Sequence, residues 1–97
     1  MMQVSDFTIR WQGMAIRIRH ASRWSGTDFD HIEVLTTEPE RAALPVTETG
    51  YRSHFLHGDE LQSHGGAAAF VLAWLDHEAQ SESWKAHVRK SRQLSLF

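Results

Sequence analysis

The chain has 97 residues, ten basic and twelve acidic side chains, and a formal net charge of −2. That length holds one small domain with one modest core, the net acidity argues against a general polyanion binder, and the absence of cysteine excludes a disulfide scaffold, a thiol nucleophile and cysteine-ligated zinc. Met1 to Asp6 has no basic run leading into an apolar stretch, and the longest apolar run, Ala67 to Leu75, is too short to cross a bilayer, so no signal peptide and no membrane partner is expected and the expected setting is cytoplasmic.

The first segment alternates with period two. Phe7, Ile9 and Trp11 share one face, Gln12-Gly13 can turn the chain, and Met14, Ile16 and Ile18 resume the alternation with Arg17 and Arg19 opposite, which predicts a β-hairpin. Ala21 to Asp30, rich in Ser, Gly and Asp, reads as a loop, and His31 to Thr36 as a third strand. Thr37 to Gly50 holds both prolines and several acids and is expected to be a long connection. Tyr51 to His57 alternates again and is taken as a fourth strand.

The period changes near Gly66. Ala67, Phe70, Val71, Trp74 and Leu75 fall at i, i+3, i+4, i+7 and i+8, the apolar stripe of a helix running to about Ala79. Ser81 or Ser83 is placed to cap a second, short helix carrying Trp84 and Val88 on one face. The expected fold is α+β: a small antiparallel sheet of about four strands packed against one main helix, with a short terminal helix. Residues 1–90 would form the single domain and 91–97 a tail.

That tail carries the sharpest motif. Gln93-Leu94-Ser95-Leu96-Phe97 resembles, at all five positions, the bacterial sliding-clamp-binding pentapeptide of consensus QL[SD]LF. A short extended segment gains affinity from a few large apolar anchors, while its backbone and a polar side chain fix the register. The resemblance implies a partner, the ring-shaped sliding clamp (the β subunit of the replicative polymerase), and through it DNA indirectly. It further implies that Leu96 and Phe97 fill the main pocket of the clamp groove, Leu94 packs at its rim, the Gln93 amide takes a polar subsite and Ser95 faces solvent. The plainer alternative is an amphipathic turn whose Leu94, Leu96 and Phe97 fold back onto the chain's own core. Five of the 97 residues carry this resemblance.

Other constellations are less specific. Lys85, Arg89, Lys90 and Arg92 precede the pentapeptide and suit either contacts to nucleic-acid phosphates or the favourable carboxy-terminal end of a helix dipole. Arg17, Arg19 and Arg23, with Trp11 or Trp24 for stacking, make a second candidate nucleic-acid surface. His54, His57 and His64 with Glu60 are the densest histidine cluster, but His54 and His57 on one strand would point to opposite faces, so no metal site is expected. Asp28, Asp30 and His31 read as turn-forming groups. Gly65-Gly66 reads as the loop leading into the main helix rather than as an anion cradle. Thr47 to His54 is polar and aromatic enough to line a recognition surface. With no nucleophile elbow, no phosphate loop and no cofactor motif, the expectation is a non-enzymatic adaptor or regulator acting in DNA replication or repair through the clamp. The runner-up is a small nucleic-acid-binding module, and a metal-dependent hydrolase centred on His54 and His57 comes third.

Overall fold

The computed structural model describes residues 3–94, with the side chains of Gln93 and Leu94 outside that description. Four antiparallel strands form one sheet in the order β1-β2-β3-β4. β1 (Gln3–Trp11) and β2 (Met14–Ser22) pair residue for residue from Gln3↔Ser22 to Trp11↔Met14. The two residues between them, Gln12 (φ 47°) and Gly13 (φ 79°), both have positive φ, as a tight hairpin turn requires. β3 spans Phe29–Glu38 and β4 spans Tyr51–His57.

The hairpin, the fourth strand and the α+β class follow the sequence pattern, while β2 and β3 run further than that pattern suggests. Both continue into the stretch read as a loop because His20 and Asp30 satisfy each other: His20 Nε2 lies 2.8 Å from Asp30 Oδ2, and the other oxygen of Asp30 accepts the backbone N–H of Arg23 at 3.0 Å. A carboxylate that is 7% exposed is tolerable only when hydrogen-bonded in this way. What remains of the loop is a short 3-10 turn at Trp24–Gly26, held by Thr27 Oγ1, which donates to the Trp24 carbonyl at 2.7 Å.

Strand alternation sends Ile16, Ile18, Ile32 and Val34 to one face, where all four are fully buried. Three helices follow the sheet: α1 (Gly58–Ser63), α2 (Ala67–Glu78) and α3 (Glu82–Leu94). The stripe read from the sequence is the buried face of α2, since Ala67, Phe70, Val71 and Leu75 join the same core cluster as the four strand residues. Each Ile, Val, Leu or Phe side chain of this cluster contributes about 1.5–3 kcal/mol when fully removed from water. The connection from β3 to β4 also supplies core: Leu44 and Val46 are buried. It is anchored by Thr36, whose hydroxyl donates to the Ala42 carbonyl at 2.8 Å, and by Gly50 (φ 76°), where an added Cβ would lie 2.6 Å from the Arg41 carbonyl.

Candidate functional site

Two surfaces gather the candidate residues, and they lie on opposite sides of the sheet. The first is α3. Ser81 caps it, its hydroxyl accepting the Trp84 backbone N–H at 3.2 Å. Trp84 is buried and sits 5.7 Å from Trp11, centroid to centroid, and the indole N–H of Trp11 donates to Asp76 Oδ1 of α2 at 2.8 Å. Val88, one turn on, packs half-buried against the same cluster. The first two turns of α3 therefore fasten it to the helix-covered face of the sheet, while Arg89 to Arg92 are exposed. Lys85, Arg89 and Arg92 recur at i, i+4 and i+7 and form a basic stripe beside Trp84 and Val88. Together these residues border a groove of about 970 Å³ between α3, Met14 and Pro39.

Gln93 and Leu94 close α3, so the backbone of the pentapeptide's first two residues is helical. Ser95, Leu96 and Phe97, its remaining residues, lie outside the described residues.

The second surface is the sheet face without helices. Arg17 and Arg19 project there together, at 3.5 and 3.8 Å from Asp6 Oδ1. Beside them an exposed aromatic group has formed from three separate segments. Trp24 lies 4.8 Å from the His31 ring and 5.7 Å from Phe55, and His31 lies 4.5 Å from Phe55, its cross-strand partner. Phe29 adds an edge contact to His57 at 5.8 Å. Trp24 is 37% exposed and Phe55 52%. Tyr51, at the other end of the same face, donates its hydroxyl to Glu33 at 2.8 Å, and that bond, followed by partial burial, raises the Tyr51 pKa. Arg23 is exposed at the start of the 3-10 turn, with φ 51°. Trp11 does not belong to this surface: it is 6% exposed on the opposite face, so it has no ring face to offer a base and the stacking candidate is Trp24 alone. The arginines of the hairpin and the cations of α3 are likewise not brought together.

The remaining constellations serve the fold. His54 and His57 face opposite ways, opposite Ile32 and Phe29 respectively. His57 Nδ1 accepts the Asp59 N–H at 3.2 Å and caps α1. His64 meets Phe70 edge-on. Among the described residues no group of three or more His, Asp or Glu is placed to hold a metal ion. The Gly65 and Gly66 amides donate to Gln62 and Leu61 carbonyls and so are engaged in ending α1. In the Thr47–His54 stretch, Thr47 Oγ1 donates to the Tyr51 carbonyl and Arg52 Nη1 to the Val46 carbonyl, at 2.8 and 3.2 Å.

His54 stacks near Phe70 and Trp74, and burial there depresses its pKa, with the nearby Arg52 charge adding to the effect against a weaker pull from Glu60. A histidine whose folded pKa lies below its unfolded value of about 6.5 favours folding above that pH, and the contribution is lost as pH falls from there through the folded pKa. Thermal unfolding between neutral and mildly acid pH should therefore show a shallower loss of melting temperature in His54→Phe than in the parent chain. An equal slope in the two proteins would remove His54 from the pH response.

A family model described as KlcB third domain matches residues 4–84, from β1 to the first turn of α3. No curated protein and no solved structure matches the chain.

Proposed function

This chain belongs to the KlcB third domain family, whose model ends at Trp84, and we propose that the segment beyond it makes the protein a non-enzymatic adaptor for the bacterial sliding clamp. The single observation behind this reading is the five-position agreement of Gln93-Leu94-Ser95-Leu96-Phe97 with the clamp-binding consensus. The helix that leads into it suits that role, since α3 is held to the domain by Trp84 and Val88 while Arg89, Lys90 and Arg92 beyond them are exposed. The domain would thus be brought to sites of replication or repair, or would compete there with other proteins for the groove. The test is the affinity of the full chain for purified clamp, beside a chain lacking residues 93–97, with the melting temperature of both. Binding lost at unchanged melting temperature supports the proposal. Binding retained without the pentapeptide ends it, and a matching fall in stability would assign these residues to the chain's own core.

A second reading has its own observation, the exposed Trp24 and Phe55 rings on either side of the half-buried His31 on the helix-free sheet face, with Arg17 and Arg19 alongside. Open sheets with exposed aromatics bind single-stranded nucleic acid by stacking bases on the rings, each stack being worth about 1–3 kcal/mol. Asp6 and Glu33 on the same face offset the arginines, so stacking rather than charge would carry the affinity. Trp24→Ala should then weaken binding of a single-stranded oligonucleotide about tenfold. No measurable binding by the parent chain at low salt would dispose of this reading.

A further inference from the structure

The free edge of β1 has the properties of an interface. β1 is an outermost strand of the sheet, nine residues long, and its pairing to β2 is regular from end to end. Natural sheets discourage edge pairing with proline, bulges, short strands or charged side chains, and the two charges on β1, Asp6 and Arg10, are of opposite sign. β1 has no proline, and the register shift in this sheet falls between Ala15 and Ile16, on the β2–β3 side.

The hairpin fixes which groups the edge presents. In a two-residue hairpin the flanking pair, Trp11 and Met14, is the first hydrogen-bonded pair, so alternation turns the backbone of Phe7, Ile9 and Trp11 toward β2. The N–H and C=O groups of Asp6, Thr8 and Arg10 consequently face away from the sheet. Phe7 and Ile9 are only half-buried on the helix-covered side, while Asp6, Thr8 and Arg10 point to the helix-free side.

A partner strand that fits these features is a second β1 running antiparallel. We propose that the chain self-associates edge to edge through β1, with Thr8 opposite Thr8 of the second copy and Asp6 opposite its Arg10. In this register the two outward ladders match, and opposite charges face each other at both ends, which favours the pairing, whereas like charges would oppose it. On the other side of the sheet Phe7 falls opposite Ile9 in the closer, non-hydrogen-bonded pairs, so each copy covers the half-exposed apolar groups of the other. The dyad runs perpendicular to the sheet, so the helix-covered faces of both copies stay on one side and the two sheets continue as a single larger one. A shift by two residues to the neighbouring symmetric register would set Asp6 opposite Thr8 and Arg10 opposite Val4, losing the charge match. The inference is independent of the clamp reading. If both hold, each assembly carries two pentapeptides and avidity on a multi-groove ring follows.

Sedimentation equilibrium of the full chain from micromolar to submillimolar concentration tests the state directly, with a species of twice 11.1 kDa expected to grow with concentration. Register is tested by crosslinking, which the absence of native cysteine makes unambiguous. Cα atoms of a hydrogen-bonded antiparallel pair lie about 5.5 Å apart, within disulfide reach. Thr8→Cys should therefore oxidise to a covalent dimer, Arg10→Cys should not, and a mixture of Asp6→Cys and Arg10→Cys chains should crosslink to each other. Thr8→Pro, which removes only an outward-facing N–H, should remain folded and become monomeric. A parent chain that is monomeric throughout overturns the proposal, as does a dimer that Thr8→Cys fails to trap, which would place self-association on another face.

Discussion

With both Leu96 and Phe97 replaced by alanine, the chain should bind the sliding clamp about a thousandfold more weakly than the parent, at an unchanged melting temperature. Large apolar anchors seated in a pocket each cost about 2 kcal/mol or more when truncated, and two of them together correspond to roughly three decades of affinity. The other positions should rank below them. Gln93→Ala removes one neutral hydrogen bond, worth about tenfold, and Ser95→Ala, on a side chain facing solvent, should change little. Binding in an extended form would require α3 to release its last turn, because Gln93 and Leu94 are helical in the free chain. Terminal turns open at little cost, having few tertiary contacts to break. Isothermal titration with purified clamp gives the comparison. A double variant that binds like the parent would show that the likeness to the consensus is coincidental.

Much of the fold was legible because one-sided burial imprints itself as a period. Phe7, Ile9 and Trp11, then Met14, Ile16 and Ile18, mark a hairpin through their spacing, and Ala67 to Leu75 marks α2. The signal fades where polar groups are buried in pairs. Asp30 on its own reads as part of a loop, and only its hydrogen bond to His20 at 2.8 Å lets β2 and β3 run on past the expected ends. It also fades where an element is too short to show a period: α1 has six residues and depends on His57 as its cap. Leu44 and Val46 reach the core from a proline-bearing connection, with no periodicity to announce them.

The surfaces were less legible than the fold for a related reason. Arg17 and Arg19 fall on a common face by alternation alone. The grouping of Trp24, His31 and Phe55 depends on which residue of β3 stands opposite which of β4, and on a 3-10 turn that brings Trp24 back over the strands, neither of which a one-dimensional pattern contains. Trp11 is the instructive case. Its shared period with Phe7 and Ile9 already placed it on the apolar face, and that signal outweighs its proximity in sequence to the arginines.

Trp11→Ala should destabilise the protein by about 3–5 kcal/mol, a large fraction of the total stability of a small domain, and should leave it largely unfolded at physiological temperature. The indole fills core volume, holds α2 through its bond to Asp76 and gives α3 the ring against which Trp84 packs. These contributions can be separated. Trp11→Phe keeps most of the volume and loses the hydrogen bond; because Asp76 is exposed and can be rehydrated, the cost should be near 1 kcal/mol, or about 4–8 °C in melting temperature. Trp84→Phe should cost less than Trp11→Phe, since the buried Trp84 indole N–H has no partner among the described residues and its removal relieves an unpaired donor. Thermal denaturation followed by circular dichroism orders the three variants. If Trp84→Phe proved the more damaging of the two phenylalanine substitutions, the attachment of α3 would rest on the indole nitrogen rather than on ring packing between Trp11 and Trp84.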